Sequence, residues 1–302
     1  MAYQIPAIAK GVFESLVEFW QWYERSRQAA IAANIDSLEL DWLLERVAGI
    51  DKLALRLRQI EPDVSVQLKL DSLWQQRLCD RLPVQYLAGE TTWRDLDLYV
   101  TPAVLIPRPE TELLIDLAWD YCDRTKADTG EWVDLGTGSG AIALGLAKAL
   151  PKANIHAVDR SAEALAIAKQ NALRHGLESQ IRFYQGNWFE PLEAIRGKVA
   201  GMVSNPPYIP TAEVEQLQPE VRDCEPRLAL DGGSDGLEAI RYLIATAPFY
   251  LAIGGYWIVE VMVGQAPTVA EMLARSGLYA QIEIHQDRSG IERFVAAIVS
   301  VR

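Results

Sequence analysis

The chain has 302 residues, half of them hydrophobic, enough for a sizeable core and, at about 150 residues per domain, for about two domains. Its formal net charge of −12 and pI near 4.8 argue against broad binding to phosphate backbones, which takes clustered lysine and arginine. Residues 1–95 carry 11 Lys and Arg against 14 Asp and Glu, and residues 96–302 carry 18 against 27, so the second part is the more acidic. Cys79, Cys122 and Cys224 are odd in number and far apart, which points away from a disulfide framework and toward a reducing compartment. His156, His175 and His285 are isolated from one another along the chain, and no metal cluster is expected. The N-terminus lacks the pattern of a signal peptide and no apolar run reaches the ~18 residues of a membrane span, so the expectation is a cytoplasmic protein without a membrane partner.

In chain order, Val12, Leu16, Phe19, Trp20, Tyr23 and Ala30 recur at helical spacing over 12–33. Leu40, Leu43, Leu44 and Val47 follow Ser37, a candidate cap, and a further helix is predicted over 64–82. Residues 1–85 thus read as a small helical domain without chemistry of its own, with Trp20, Trp22 and Tyr23 as core. Thr91-Thr92-Trp93 and the run from Leu96 to Val100 alternate like a hairpin, which makes 86–104 a linker. From 105 to 302 helices (110–125, 141–150, 162–175, 237–247, 266–276) alternate with strands (131–135, 154–158, 181–185, 199–204, 255–261). Two antiparallel segments, 280–285 and 293–299, close the chain, so the reading is a doubly wound α/β domain with a late antiparallel element.

Asn205-Pro206-Pro207-Tyr208 follows a predicted strand, where an open α/β sheet delivers ligands. Two prolines have no N–H to compete, so the carbonyls of Asn205 and Pro206, the Asn205 side chain and the Tyr208 ring form an array suited to a planar group bearing an NH2. Taken by itself the tetrapeptide fits a proline-rich turn equally well. Upstream, the strand Trp132-Val133-Asp134-Leu135 runs into Gly136-Thr137-Gly138-Ser139-Gly140 and a helix, a loop that permits close backbone approach to a ligand. Asp159, ending the next strand, is a candidate acceptor for two ribose hydroxyls. Loop and carboxylate alone suit a nicotinamide dinucleotide as well as S-adenosylmethionine. Asp134 beside the loop favours a cation such as a sulfonium, Trp188 offers an indole face to an adenine, and an NH2-presenting motif has no role in hydride transfer; together they favour S-adenosylmethionine.

With these motifs the sequence resembles class I methyltransferases carrying Asn-Pro-Pro-Tyr, and among them the HemK/PrmC family. Leu105-Ile106-Pro107-Arg108-Pro109-Glu110-Thr111-Glu112 carries the likeness, as do Glu225-Pro226-Arg227-Leu228-Ala229-Leu230, Gly232-Gly233 with Asp235-Gly236-Leu237, and the segment from Pro83 to Gly89. The family usually shows Glu-x-Gly followed by Gln after the 255–261 strand, where this chain reads Glu260-Val261-Met262-Val263-Gly264-Gln265. The resemblance implies a class I, Rossmann-like methyltransferase fold behind a helical substrate-recognition domain. It also implies methyl transfer from S-adenosylmethionine to the glutamine side-chain nitrogen (N5) of the Gly-Gly-Gln motif in class I peptide-chain release factors. By the same likeness residues 136–140 surround the methionine part of the cofactor, Asp159 binds its ribose and Trp188 flanks its adenine, while Asn205, Pro206, Pro207 and Tyr208 hold the substrate. Arg108 and Glu112 are candidates for the site wall, and Arg227 for a structural ion pair. An amino-group methyltransferase acting on nucleic acid would need a basic track that this chain lacks, and an inactive methyltransferase-like module is at odds with the intact Asn205 and Asp159.

Overall fold

The computed structural model describes residues 16–58, 62–125 and 128–300, so Val12 of the first helical pattern lies outside the described residues. The chain divides into two compact units, Met1–Gly89 and Glu90–Arg302. In the first, α1 (Leu16–Ala32), α2 (Leu38–Ala48), α3 (Lys52–Leu57), α4 (Val64–Cys79) and α5 (Val84–Ala88) surround a core that includes Phe19, Trp20, Trp22, Tyr23, Leu40, Leu43 and Trp74. The Trp22 indole donates to Asp71 at 2.8 Å, so a large ring is buried without stranding its N–H. Ser37 makes no side-chain cap. It sits in helical conformation, and Asp36 accepts from the Leu38 N–H at 2.9 Å instead.

In the second unit β1 (Glu90–Trp93) and β2 (Leu96–Tyr99) form the expected hairpin. Its alternation buries Trp93, Leu96 and Leu98 in the core of the second unit, so the hairpin is an integral part of that unit. Among the described residues seven further strands form one sheet: β3 (Thr129–Leu135), β4 (Lys152–Asp159), β5 (Ile181–Gln185), β6 (Val199–Ser204), β7 (Leu251–Glu260), β8 (Tyr279–Gln286) and β9 (Glu292–Val299). The order is β5-β4-β3-β6-β7-β9-β8, parallel as far as β7, with β9 antiparallel to both neighbours.

Period-two alternation divides the apolar strand residues between two cores. Trp132, Ile155, Ala157, Val203 and Ile258 face one, with α6 (Leu113–Thr125) and α7 (Ala141–Ala149); α8 (Ala162–Arg174) adds Ala172 to it. Val133, Leu135, Val158, Met202, Trp257 and Val259 face the other. Helices α9 (Thr211–Val214) and α10 (Pro219–Arg222) are short and lead to α11 (Glu238–Tyr250) and α12 (Ala266–Ser276), which cover the second core. Five parallel strands thus end at one edge of the sheet, where the loops after β3, β4, β5, β6 and β7 converge. This is a class I methyltransferase arrangement of α/β layers with late antiparallel strands.

Beyond short helices that the sequence pattern does not mark, such as α9 and α10, three of the predicted elements depart from it. Residues 110–112 form a 3₁₀ turn ahead of α6, helix α11 continues through Pro248, and β7 begins at Leu251. The last two follow from contacts made elsewhere: Leu251 pairs with Val199 across a register shift, and the Ile244 carbonyl that Pro248 cannot reach accepts from the Tyr279 hydroxyl at 2.7 Å.

Candidate active site

The loop after β3 is held from behind. The Asp134 carboxylate is fully buried; one oxygen accepts from the Thr137 hydroxyl at 2.6 Å and the Ala143 N–H at 3.1 Å, tying the loop to the start of α7. Its other oxygen has no partner among the described residues, and burial pushes the carboxyl up to about 7. Gly138 (φ 54°) faces open space, since a Cβ there would meet no described atom within 4 Å. Gly140 (φ 85°) is a packing glycine, where a Cβ would come within 3.2 Å of the Ala168 backbone on α8.

Asp159 ends β4 and reaches across to this loop: one oxygen accepts from the Gly138 N–H and the other from the Ser161 N–H, both at 2.9 Å. Each oxygen keeps a lone pair for a ligand. Burial raises its pKa, against the pull of those N–H donors. Beyond β5, Trp188 is held at φ 54°, a left-handed conformation uncommon for an aromatic residue, with its indole against Gly136.

Asn205 follows β6, whose last residue, Ser204, donates to the Leu135 carbonyl at 2.7 Å and so locks the two loop origins together. The Asn205 Nδ2 donates to Thr111 Oγ1 at 3.3 Å, and that hydroxyl donates to Glu260 at 2.6 Å. The Tyr208 hydroxyl reaches the other Glu260 oxygen at 3.2 Å. Burial pushes Glu260 up to about 7, aided by Glu110 and opposed by its hydroxyl donors and Arg293. The Tyr208 carbonyl accepts from Gln265 Nε2 at 2.9 Å, and Ile209 exchanges bonds with Leu230 and Gly232.

A cleft of ≈ 530 Å³ opens onto these groups. Gly136, Thr137, Gly138, Ser139, Asp159, Trp188, Asn205 and Pro207 all line it. Gly140, Pro206 and Tyr208 are not part of its wall: Gly140 begins α7, Pro206 is buried, and Tyr208 turns its hydroxyl to Glu260. Arg108 lines the cleft and pairs at 2.5 Å with Glu225, whose side chain is 1 % exposed. Glu112 instead accepts from the Arg94 N–H at the hairpin turn, and Arg227 pairs with Glu215 and Asp231 at the surface. Sequence reasoning missed Thr111, Glu260 and Gln265 as a group. Thr111 and Glu260 stand 149 positions apart, and no spacing rule joins them.

Residues 117–223 match the family model "Methyltransferase small domain". A release factor glutamine methyltransferase from Synechocystis sp. is 52 % identical over 94 % of this chain and 97 % of its own length. Those of Gloeobacter violaceus and Geobacter sulfurreducens are 48 % and 43 % identical, covering 93 % and 85 % of the chain and 97 % and 88 % of their own lengths. Among solved structures, the catalytic domain of hMettl16 in complex with the MAT2A 3'UTR hairpin 6 superposes with a TM-score of 0.54 over 78 % of this chain and 84 % of that one. At 14 % identity that likeness speaks for the fold alone. With relatives 52 % and 48 % identical over 94 % and 93 % of its length, the chain belongs to the release factor glutamine methyltransferase family.

Proposed function

We propose that this protein transfers a methyl group from S-adenosylmethionine to the side-chain nitrogen (N5) of the glutamine in the Gly-Gly-Gln motif of class I peptide-chain release factors. The observation that carries this reading is the Asn205 amide: its Nδ2 is committed to Thr111, which leaves Oδ1 as an acceptor at the cleft. The residues present fit the cofactor. The space before Gly138 is open, Asp159 retains acceptor capacity for ribose hydroxyls, Trp188 presents an indole face, and the cleft volume suits a ligand of that size. When bound, S-adenosylmethionine supplies a methyl group made electrophilic by its sulfonium.

A carboxamide nitrogen is a poor nucleophile because its lone pair is delocalised into the carbonyl. Asn205 Oδ1 at the cleft would accept one of its hydrogens, fixing the nitrogen and meeting the positive charge that develops on it with an aligned dipole, while Pro206, expected from the sequence as a second acceptor, is buried outside the cleft wall. The methylated nitrogen then sheds its proton readily, so no strong base is needed. Tyr208 contributes through Glu260 and Gln265, by holding the tetrapeptide in shape.

The helical unit would recognise the protein substrate, since the cleft is lined from Pro102 to Tyr242, all in the second unit. Exposed Ile31, Leu38, Leu53, Leu57, Val64 and Leu68 give it apolar surface to do so. The charge of −12 supports a protein partner over nucleic acid, and three cysteines, odd in number and far apart, suit a cytoplasmic location. No helix among the described residues is long and apolar enough to cross a membrane. Mass spectrometry of a class I release factor incubated with the enzyme and S-adenosylmethionine should find one added methyl on the Gly-Gly-Gln glutamine. No methyl there, or equal methylation when that residue is glutamate, would overturn the assignment.

A further inference from the structure

We propose that Glu260, acting through the Thr111 hydroxyl, sets which end of the Asn205 amide faces the cleft and is therefore a positioning residue for methyl transfer; the role rests on the function proposed above. An amide side chain can turn over, exchanging its acceptor oxygen for its donor nitrogen with almost no change in shape. Something must choose between the two. Thr111 has a single hydroxyl proton and gives it to Glu260 at 2.6 Å, so it can offer Asn205 only lone pairs. Asn205 answers with Nδ2 at 3.3 Å, and its oxygen is left for the cleft. The direction of every bond in this chain originates in a carboxylate that accepts on both oxygens, from Thr111 and from Tyr208.

If Glu260 took up a proton it would become a donor beside the same two hydroxyls. Donation to Thr111 would free the threonine proton to point at Asn205, whose oxygen would then turn inward and whose NH2 would meet the substrate NH2. Two donors facing each other cannot bind. The groups that bear on Glu260 are Tyr208 after β6, Thr111 and Glu110 in the turn before α6, and Arg293 on β9, itself tied to Asp287 at 3.0 Å. Burial outweighs Arg293 and pushes Glu260 to about 7, so the reversal falls near neutral pH.

The test pairs a signal that needs no substrate with kinetics on the full-length enzyme. Between about pH 5 and pH 9 the side-chain amide resonance of ¹⁵N-labelled Asn205 should titrate near neutrality, and kcat on release factor should fall about tenfold per pH unit below that point. Glu260→Gln should remove both transitions. Thr111→Val should lower kcat at least about tenfold, with the KM for release factor and the Kd for S-adenosylmethionine within about twofold of wild type, while Thr111→Ser restores kcat to within about threefold. Wild-type kcat in Thr111→Val, equal losses in the valine and serine variants, or a titration that persists in Glu260→Gln would each overturn the proposal. Absence of release-factor methylation by the wild type would instead remove the functional reading, and the Asn205 resonance would still decide whether Glu260 sets the amide.

Discussion

Asn205 at the cleft and Asp134 behind the glycine loop carry expectations that differ in kind. Asn205→Ala removes the acceptor and should cut turnover on release factor by about 10²–10³, the scale seen when one aligned polar group is lost from a reacting centre, with cofactor affinity little changed. Asn205→Asp keeps acceptor oxygens and should retain more activity than alanine; turnover by the alanine variant near the wild-type rate, measured at saturating substrate, would sink the role of Asn205. Asp134 is a matter of stability. Its carboxyl stands at about 7 in the folded protein, above its usual value, so the folded state holds the proton more tightly. Its stabilising contribution is then fully present below about pH 4 and lost as pH rises through about 7. The gap corresponds to roughly 4 kcal/mol. Asp134→Asn does not titrate, so the difference in unfolding free energy should move in the variant's favour by roughly 2–4 kcal/mol between about pH 4 and pH 8; a pH-independent difference in urea denaturation would refute this. Much of the candidate site was readable because its parts are local: the glycine loop and Asn205 each directly follow a strand, and Asp159 ends one. The Thr111–Glu260 link was not, because the fold creates it and no local pattern marks a buried glutamate at the end of an apolar strand.

Among the elements, α11 is the one whose sequence and structure disagree most. Pro248 normally ends a helix because it lacks an N–H for the carbonyl four residues back and crowds it. Here that carbonyl, on Ile244, is buried and served by the Tyr279 hydroxyl of β8. Tyr279→Phe should therefore strand a buried acceptor and cost about 1–3 kcal/mol, a loss that the retained ring cannot make good. In a Pro248→Ala background the restored N–H takes the same carbonyl, and Tyr279→Phe should cost less than half as much. Equal costs in the two backgrounds, from chemical denaturation, would show that the tyrosine does not substitute for the missing donor. The same bond explains why the sequence pattern stops this helix at 247: the compensation comes from a strand 35 residues away. The central strands were legible for the opposite reason. Segments such as Trp132-Val133-Asp134-Leu135 are buried on both faces, and their apolar runs need no distant information to be recognised. Short elements such as α9 and α10 bury little and carried no periodic signal.

At the scale of the molecule, the two units have separate cores. Phe19, Trp22 and Trp74 belong to the first, and the second has both of the clusters that clasp its sheet. The groups that would hold cofactor and accept the glutamine amide come from the second unit alone, between Pro102 and Tyr242. On the proposed function, the second unit would perform the transfer and the helical unit would supply affinity for a folded release factor. A fragment of residues 90–302 should then bind S-adenosylmethionine with a Kd within about threefold of the full chain, and methylate a short Gly-Gly-Gln peptide at a comparable kcat. On intact release factor its kcat/KM should fall by at least about tenfold, mostly through KM, because what has been removed is binding made equally in the ground and transition states. The peptide arm guards against a fragment that has merely lost its fold, since such a fragment would fail on both substrates. Full kcat/KM on intact release factor by residues 90–302 would instead leave the helical unit without a part in substrate recognition.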